Sequence, residues 1–205
     1  MFITVYLTCF FIFMFWLTYE MHKSKKEAKE ESDAFWARED AANSARNKDI
    51  SNLPLVKIQE DDLPIFETGD ESVHYYVGRV REIIKMPMMD FSDYSNTDLK
   101  LAYGVGNFKT LSQYDETFHA FLLDLSNLAR AYYTAGMKEA AIETYLFAIK
   151  EGSRRLSDFE SLARIYLETD HPEKLSQLLS QVREMNLPHQ ESIEKTLQEV
   201  LLSYK

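Results

Sequence analysis

The sequence contains few residues that could form disulfide bonds or bind a metal. Its 205 residues include a single cysteine, Cys9, which excludes a disulfide framework and a CxxC zinc or redox site. Five histidines are present, but none is spaced from another ligand as in HExxH or a similar zinc motif. The sequence therefore predicts no metal and no cofactor.

Catalytic motifs are also missing. There is no GxSxG nucleophile motif and no phosphate-binding loop, and Cys9 lies in an apolar segment without a histidine partner. Gly104-Val-Gly106 follows a helical stretch rather than a strand and lacks a third glycine, so we interpret it as a turn between helices. We expect that the protein is not an enzyme.

Two acidic groups are candidate metal ligands. Glu60, Asp61 and Asp62 are consecutive but have no further ligands at a defined spacing, which favours a solvated turn. Asp115 and Glu116 precede His119 on one predicted helix, where a di-metal site would need matching carboxylates on other helices. We interpret the latter group as an exposed side-chain pair.

Basic residues are outnumbered by acidic ones. The chain has 23 Lys and Arg against 33 Asp and Glu, for a net charge of −10. Residues 1–29 are locally basic, so the remainder carries −12. Phosphate contacts need a basic face, and the sequence therefore predicts no nucleic-acid binding.

The amino-terminal segment is apolar. Phe2–Tyr19 comprises 18 residues without a charge, which as a helix would span about 27 Å, close to the thickness of a hydrocarbon core. A secretory signal would have a basic start and a small-residue cleavage site, and neither is present. We therefore predict an uncleaved transmembrane anchor at 1–19.

The orientation of this anchor follows from its flank. Lys23, Lys25, Lys26 and Lys29 come directly after the apolar run, and basic residues near a span stay on the cytoplasmic side. We expect a single-pass protein of the cell membrane with its carboxyl-terminal domain in the cytoplasm. The reversed topology is the alternative.

The remainder divides by composition, and its periodicity predicts an all-α protein. Residues 20–48 lack Gly and Pro and favour a helical stalk, on which Phe35 and Trp36 either meet the membrane surface or dock on the domain. The next segments are a linker at 49–69, a helical cap at 70–121, two repeats at 122–189 and a capping helix at 190–205. Apolar residues at spacings of three and four indicate helices from residue 70 onward, including one from Asn107 to Gly136.

Two stretches repeat at a fixed interval. LARAYYTAG at 128–136 and LARIYLETD at 162–170 begin alike and reach a Tyr at the same place. The same interval separates the pairs Leu125 and Phe159, Leu128 and Leu162, Ala129 and Ala163, Tyr132 and Tyr166, Tyr145 and Leu179, and Ala148 and Val182.

These residues resemble the tetratricopeptide repeat, a helix–turn–helix unit of about 34 residues. The units would be 122–155 and 156–189, with Asp170 where the first unit has the turn glycine Gly136. The resemblance implies a short α-solenoid, in which small residues such as Ala129 and Ala163 allow close helix packing. Because such arrays need about three stacked units, the helices from 70 to 118 are expected to act as a non-repeat cap.

The resemblance also implies a peptide groove lined by the first helix of each unit. Arg130 and Arg164 occupy equivalent positions of the two units and could receive a carboxylate or an acidic peptide. The alternative is that each arginine is solvated or pairs with a nearby acid such as Glu160. The implied groove residues are Leu123, Ser126, Asn127, Arg130 and Tyr133 in the first unit and Glu160, Ser161, Arg164 and Leu167 in the second.

Two further stretches, DAFWAREDAANSARNKDI and YSNTDLKLAYGVGNF, are similar to segments of uncharacterised membrane-anchored repeat proteins of Gram-positive bacteria. We therefore expect a single-span membrane protein that presents a protein-interaction module, as an adaptor or scaffold for a protein or peptide partner. The alternatives are an extracytoplasmic module of envelope or secretion machinery and a self-associating structural protein, which would form a homo-oligomer.

Overall fold

The computed structural model describes residues 2–185 and 187–203, without the side chains of residues 2–5, 8 and 9. In this part of the chain the fold is all-α, and its only β contact is an isolated bridge between Val56 and Met88. The helices are α1 (Phe2–Asn43), α2 (Glu71–Ile83), α3 (Asn96–Tyr103), α4 (Phe108–Thr134), α5 (Lys138–Lys150), α6 (Leu156–Glu168), α7 (Pro172–Glu184) and α8 (Gln190–Ser203), with short 3-10 turns at Glu60–Asp62 and Val105–Asn107.

The predicted anchor lies within α1. Among the described residues, no helix combines the length and the apolar character needed to cross a membrane. The predicted Phe2–Tyr19 span includes residues 2–5, 8 and 9, whose side chains lie outside the described set.

The chain forms two compact units. The first comprises Met1–Leu53 with Ser92–Leu111, and the second comprises Pro54–Phe91 with Ser112–Lys205. The division falls inside α4, whose first residues belong to the first unit.

In the first unit, the carboxyl-terminal end of α1 packs against α3. Arg38 Nη2 donates to Asp98 Oδ1 at 2.5 Å, and Lys100 Nζ donates to Asn43 Oδ1 at 3.0 Å. Ser95 begins α3 with a capping box, in which its side chain accepts from the Asp98 N–H. These polar contacts join two helices that are distant in the sequence.

The helical stalk predicted over 20–48 ends earlier, at Asn43. The chain after α1 contacts the glycine turn that follows α3, where Asn47 Oδ1 accepts the Gly106 N–H at 2.7 Å. Gly104 has φ 92°, and a Cβ there would lie 2.4 Å from Asn47 Cα. This close approach therefore requires glycine.

The two large aromatic residues of the stalk face solvent. Phe35 and Trp36 are 56% and 62% exposed. Their rings pack edge to face, with centroids 5.3 Å apart. The two side chains thus form a small apolar patch on α1.

In the second unit, the segment predicted as a linker is packed against helices. Leu63 is buried, and the Phe66 N–H donates to the Tyr132 hydroxyl oxygen at 2.7 Å. The Val56 N–H donates to the Met88 carbonyl oxygen at 2.9 Å. The prolines and the glycine favour a loop, but apolar side chains bind this stretch to the core.

The helices of the second half repeat at the interval found in the sequence. Helix α5 begins at Lys138 and α7 at Pro172, and α4 and α6 end at Thr134 and Glu168. The turns also match, since Gly136 and Asp170 have φ values of 79° and 60°. Aspartate is one of the few side chains that tolerate this left-handed conformation, which explains how Asp170 replaces a glycine.

A buried polar cluster connects α4 to α6. Asp158, 2% exposed, is in the first turn of α6, and its Oδ2 accepts from the Ser126 hydroxyl at 2.7 Å and the Ser153 hydroxyl at 2.5 Å. Ser126 belongs to α4 and Ser153 to the turn after α5. A single carboxyl group therefore joins three parts of the chain inside the core.

Apolar side chains fill the space around this cluster. Ala129 and Ala163 are fully buried, as their role in close helix packing requires. The aromatic rings of the repeats are also buried, and burial raises the pKa of each phenol; these residues are Tyr132, Tyr145 and Tyr166.

Helix α8 completes the core at the carboxyl-terminal end. It packs on α6 and α7 and buries Ile193, Leu197 and Val200. The helix expected at 190–205 is therefore present over Gln190–Ser203.

Candidate functional site

The residues proposed as a peptide groove lie on two neighbouring helices of the second unit. We call them the α4–α6 surface, which comprises Asn127, Arg130 and Tyr133 on α4 and Glu160, Arg164 and Leu167 on α6. The arginines and Tyr133 are exposed, whereas the other three residues are half-buried. The surface therefore presents polar groups on a packed apolar base.

Arg130 contacts a neutral partner. Its Nη2 donates to Asn127 Oδ1 at 2.7 Å, one helical turn earlier. In the described part of the chain, Arg130 forms no ion pair with a carboxylate. Its guanidinium group therefore keeps its charge uncompensated and has further N–H groups that can donate to a ligand.

Arg164, at the equivalent position of the second repeat (156–189), is already paired. Its Nη2 and Nε donate to Glu160 Oε1 at 2.7 Å and 3.2 Å. This is the alternative that the sequence leaves open, in which a nearby acid occupies the arginine. The two arginines are equivalent in position but not in their availability to a ligand.

Tyr133 connects α4 to α6 at the edge of this surface. Its hydroxyl donates to the two carboxylate oxygens of Glu168 at 2.8 Å and 3.0 Å, and Lys138 Nζ lies 3.0 Å from Glu168 Oε2. The hydrogen bonds from Tyr133 and Lys138 lower the pKa of Glu168, and the bond to Glu168 raises the pKa of Tyr133.

Sequence reasoning missed Glu168 and Lys138. The repeat interval does place Glu168 at a helix end, because it terminates α6 at the position where Thr134 terminates α4. Their contact with Tyr133 depends on the packing of the two helices, which a single helix pattern does not specify.

Ser126 does not belong to the surface, and its assignment to the groove is wrong. It is 7% exposed, and its hydroxyl donates to Asp158 inside the core. Leu167 also packs partly against the core. The ligand-accessible polar groups are thus concentrated at Arg130, Tyr133 and the Glu160–Arg164 pair.

The candidate acidic metal ligands have other contacts. Glu60 pairs with Arg81 at 2.7 Å, and Asp115 Oδ1 accepts the Phe91 N–H at 2.8 Å. His119 Nδ1 lies 4.0 Å from the same Asp115 oxygen. Among the side chains that the structure describes, no three potential ligands are grouped so that they could hold a metal ion.

Comparisons with protein families, with curated proteins and with solved structures found no match to this chain.

The Tyr133–Glu168 contact predicts a pKa change. Replacing Tyr133 with Phe removes the hydrogen bond that contributes most to lowering the Glu168 pKa, so that pKa should rise toward the ordinary glutamate range. Carboxyl-carbon NMR titration measures this value. Because the folded-state pKa is depressed, the contact stabilises the fold above the ordinary glutamate pKa and loses this effect as pH falls through the folded value.

The control is Tyr75→Phe, which removes an exposed hydroxyl from α2. It should leave the Glu168 titration unchanged. An unaltered Glu168 pKa in Tyr133→Phe would contradict the hydrogen bond as its cause.

Proposed function

We propose that this protein is a membrane-anchored interaction module of the tetratricopeptide type, whose α4–α6 surface binds an acidic segment of a protein partner. The observation that carries the proposal is the exposed guanidinium group of Arg130, which donates to Asn127 but to no carboxylate in the described part of the chain. Arg130 belongs to the repeat at 122–155, and the repeat at 156–189 has Arg164 at the equivalent position.

The helical geometry supports the repeat assignment. The helix starts and the two left-handed turn residues follow the interval of the sequence repeat. The backbone hydrogen bonds at the turns also match, since the Met137 N–H donates to the Tyr132 carbonyl oxygen at 2.9 Å and the His171 N–H donates to the Tyr166 carbonyl oxygen at 2.8 Å.

The electrostatics of the α4–α6 surface support an anionic ligand. Arg130 can donate to a carboxylate without breaking an existing ion pair. Arg164 must first separate from Glu160, or share its remaining N–H groups. We infer that Arg130 is the primary contact and that Glu160 limits the contribution of Arg164.

This inference predicts opposite effects of two substitutions. Arg130→Ala should weaken binding of a fluorescently labelled, glutamate-rich peptide about tenfold, which corresponds to the loss of ~1.4 kcal/mol of charge-assisted contact. Glu160→Gln should strengthen it, because Arg164 is released from its ion pair. Fluorescence anisotropy with the full chain in detergent measures both affinities.

The matched control is Arg155→Ala, which removes an exposed arginine just before α6 and changes the net charge equally. Its affinity for the peptide should stay within about twofold of the wild-type value, as screening by salt makes distant charges weak. Equal losses in Arg130→Ala and Arg155→Ala would show that only overall charge matters and would contradict the proposed surface.

The membrane anchor is supported by the amino-terminal part of the chain. Phe2–Tyr19 carries no charge, belongs to the continuous helix α1, and exposes Phe11, Phe15 and Trp16 by 66%, 81% and 56%. The lysines that follow favour a cytoplasmic position for the rest of the protein. An anchored module would act as an adaptor or scaffold at the membrane.

Anchoring predicts that one charge in the apolar segment releases the protein. Phe11→Lys places an ammonium group near the middle of the span, where insertion costs about 3 kcal/mol. The variant should therefore appear in the soluble fraction after alkaline extraction of membranes. Ser24→Lys, in the basic flank, is the control and should stay in the membrane fraction; retention of both variants would contradict the anchor.

A further inference from the structure

A second surface of the same unit lies between α2 and α4 and is lined by residues other than those of the α4–α6 surface. It is an open groove of about 710 Å³, which we call the α2–α4 groove. Its apolar lining includes Ile83, Met86 and Ala120, and its polar lining includes Glu82, Glu116 and Asp124. The groove combines a hydrophobic wall with three carboxylates.

Asp124 is the buried carboxylate of this groove. It is 3% exposed, and its Oδ2 accepts from Arg79 Nε at 3.2 Å and Nη2 at 3.0 Å. These bonds raise the pKa of the Arg79 guanidinium group. Arg79 is therefore committed to one oxygen of Asp124.

The other oxygen, Asp124 Oδ1, remains available. No group in the described part of the chain donates a hydrogen bond to Oδ1. Every fully buried side-chain oxygen of the described residues has a hydrogen-bond partner. Oδ1 must consequently have some accessible surface, and Asp124 lines the groove. A carboxylate oxygen in a mostly buried position favours a charged donor.

The surrounding charges are also negative. Glu116 lines the groove and forms no ion pair among the described residues, while Glu82 pairs with Lys85 at 2.7 Å on the exposed surface. Of the three lining carboxylates, Asp124 pairs with Arg79 and Glu82 with Lys85, so Glu116 supplies the uncompensated negative charge of the groove. Its charge is complementary to a basic ligand.

Gly78 leaves space in the wall formed by α2. It is an exposed residue in the middle of the helix, and a Cβ at this position would meet no atom within 4 Å. Glycine in a helix interior costs about 1 kcal/mol relative to alanine. Any side chain at position 78 would narrow the groove. The fold itself does not require glycine there.

We propose that the α2–α4 groove binds a lysine- or arginine-rich segment of a protein partner, with one cationic group on Asp124 Oδ1 and the apolar part of its side chain on Ile83 and Met86. Long cationic side chains bury their methylene groups in this way while the charged end finds a carboxylate. This proposal concerns different residues and a ligand of opposite charge, so it does not rest on the function proposed above.

The dimensions of the groove favour a peptide segment over a single ion. Its lining extends from Tyr75 to Ile83 along α2, with Met86 in the turn that follows, and from Gln113 to Asp124 along α4. The α4 side covers about three helical turns, or ~16 Å. An extended peptide of about five residues has this length.

The test uses a fluorescently labelled peptide of alternating lysine and leucine and the full chain in detergent. Gly78→Leu should reduce the affinity at least about tenfold, because the leucine side chain occupies the groove while improving helix propensity. Glu116→Lys should reduce it to a similar extent and should create binding of the corresponding glutamate–leucine peptide. Circular dichroism confirms that each variant keeps its helices.

The matched control is Glu143→Gln, which removes a negative charge from an exposed position on α5. It should leave the affinity unchanged within about twofold. A lysine–serine peptide of equal charge should bind at least about tenfold more weakly than the lysine–leucine peptide, since it cannot use the apolar wall.

Several results would overturn the proposal. One is unchanged lysine–leucine binding in both Gly78→Leu and Glu116→Lys. Another is competition by spermidine at a concentration equal to that of unlabelled peptide, which would indicate a small-amine site. A third is self-association of the full chain that Gly78→Leu abolishes, which would make a second copy the occupant.

Discussion

The repeat region depends on one buried carboxyl group. Asp158 accepts hydrogen bonds from Ser126 of α4 and Ser153 of the α5–α6 turn, and it is itself part of α6. Apolar packing between helices is not directional and tolerates small shifts, whereas these hydrogen bonds require defined positions of the three groups. The cluster therefore fixes α6 relative to α4, and the contacts of both helices at the surface depend on it.

Fixing these helices determines which polar groups remain outside. Ser126 faces inward to Asp158, while Arg130, one turn later, stays exposed beside Asn127. The same packing brings Tyr133 to Glu168 and leaves Arg164 with Glu160. Between α2 and α4, Arg79 pairs with Asp124, which lines a groove with Glu82 and Glu116. The two surfaces that we propose on this unit therefore differ in the sign of the ligand charge that each would bind.

The sequence predicted local structure better than contacts between distant segments. Apolar spacing located α2 and the long helix α4, since buried positions such as Val73, Val77 and Val80 follow the helical period. It did not predict that Phe66 packs on Tyr132, because prolines and a glycine dominate the pattern of 50–69 and the two residues are far apart in the sequence. The sequence repeat predicted the equivalent positions of Arg130 and Arg164. It did not predict that Arg164 is paired and Arg130 is not, because this difference depends on the neighbouring side chains Glu160 and Asn127.

The most direct test is the free energy of unfolding of Asp158→Ala, measured by chemical denaturation and compared with Ser157→Ala. Removing Asp158 leaves the Ser126 and Ser153 hydroxyls without their acceptor, and we predict a loss of about 2–3 kcal/mol. The Ser157 hydroxyl is exposed, and its contact with Asp158 Oδ1 is long, at 3.5 Å. Its removal should therefore cost less than about 0.5 kcal/mol. Equal stability of the two variants would contradict the claim that Asp158 fixes the repeat helices.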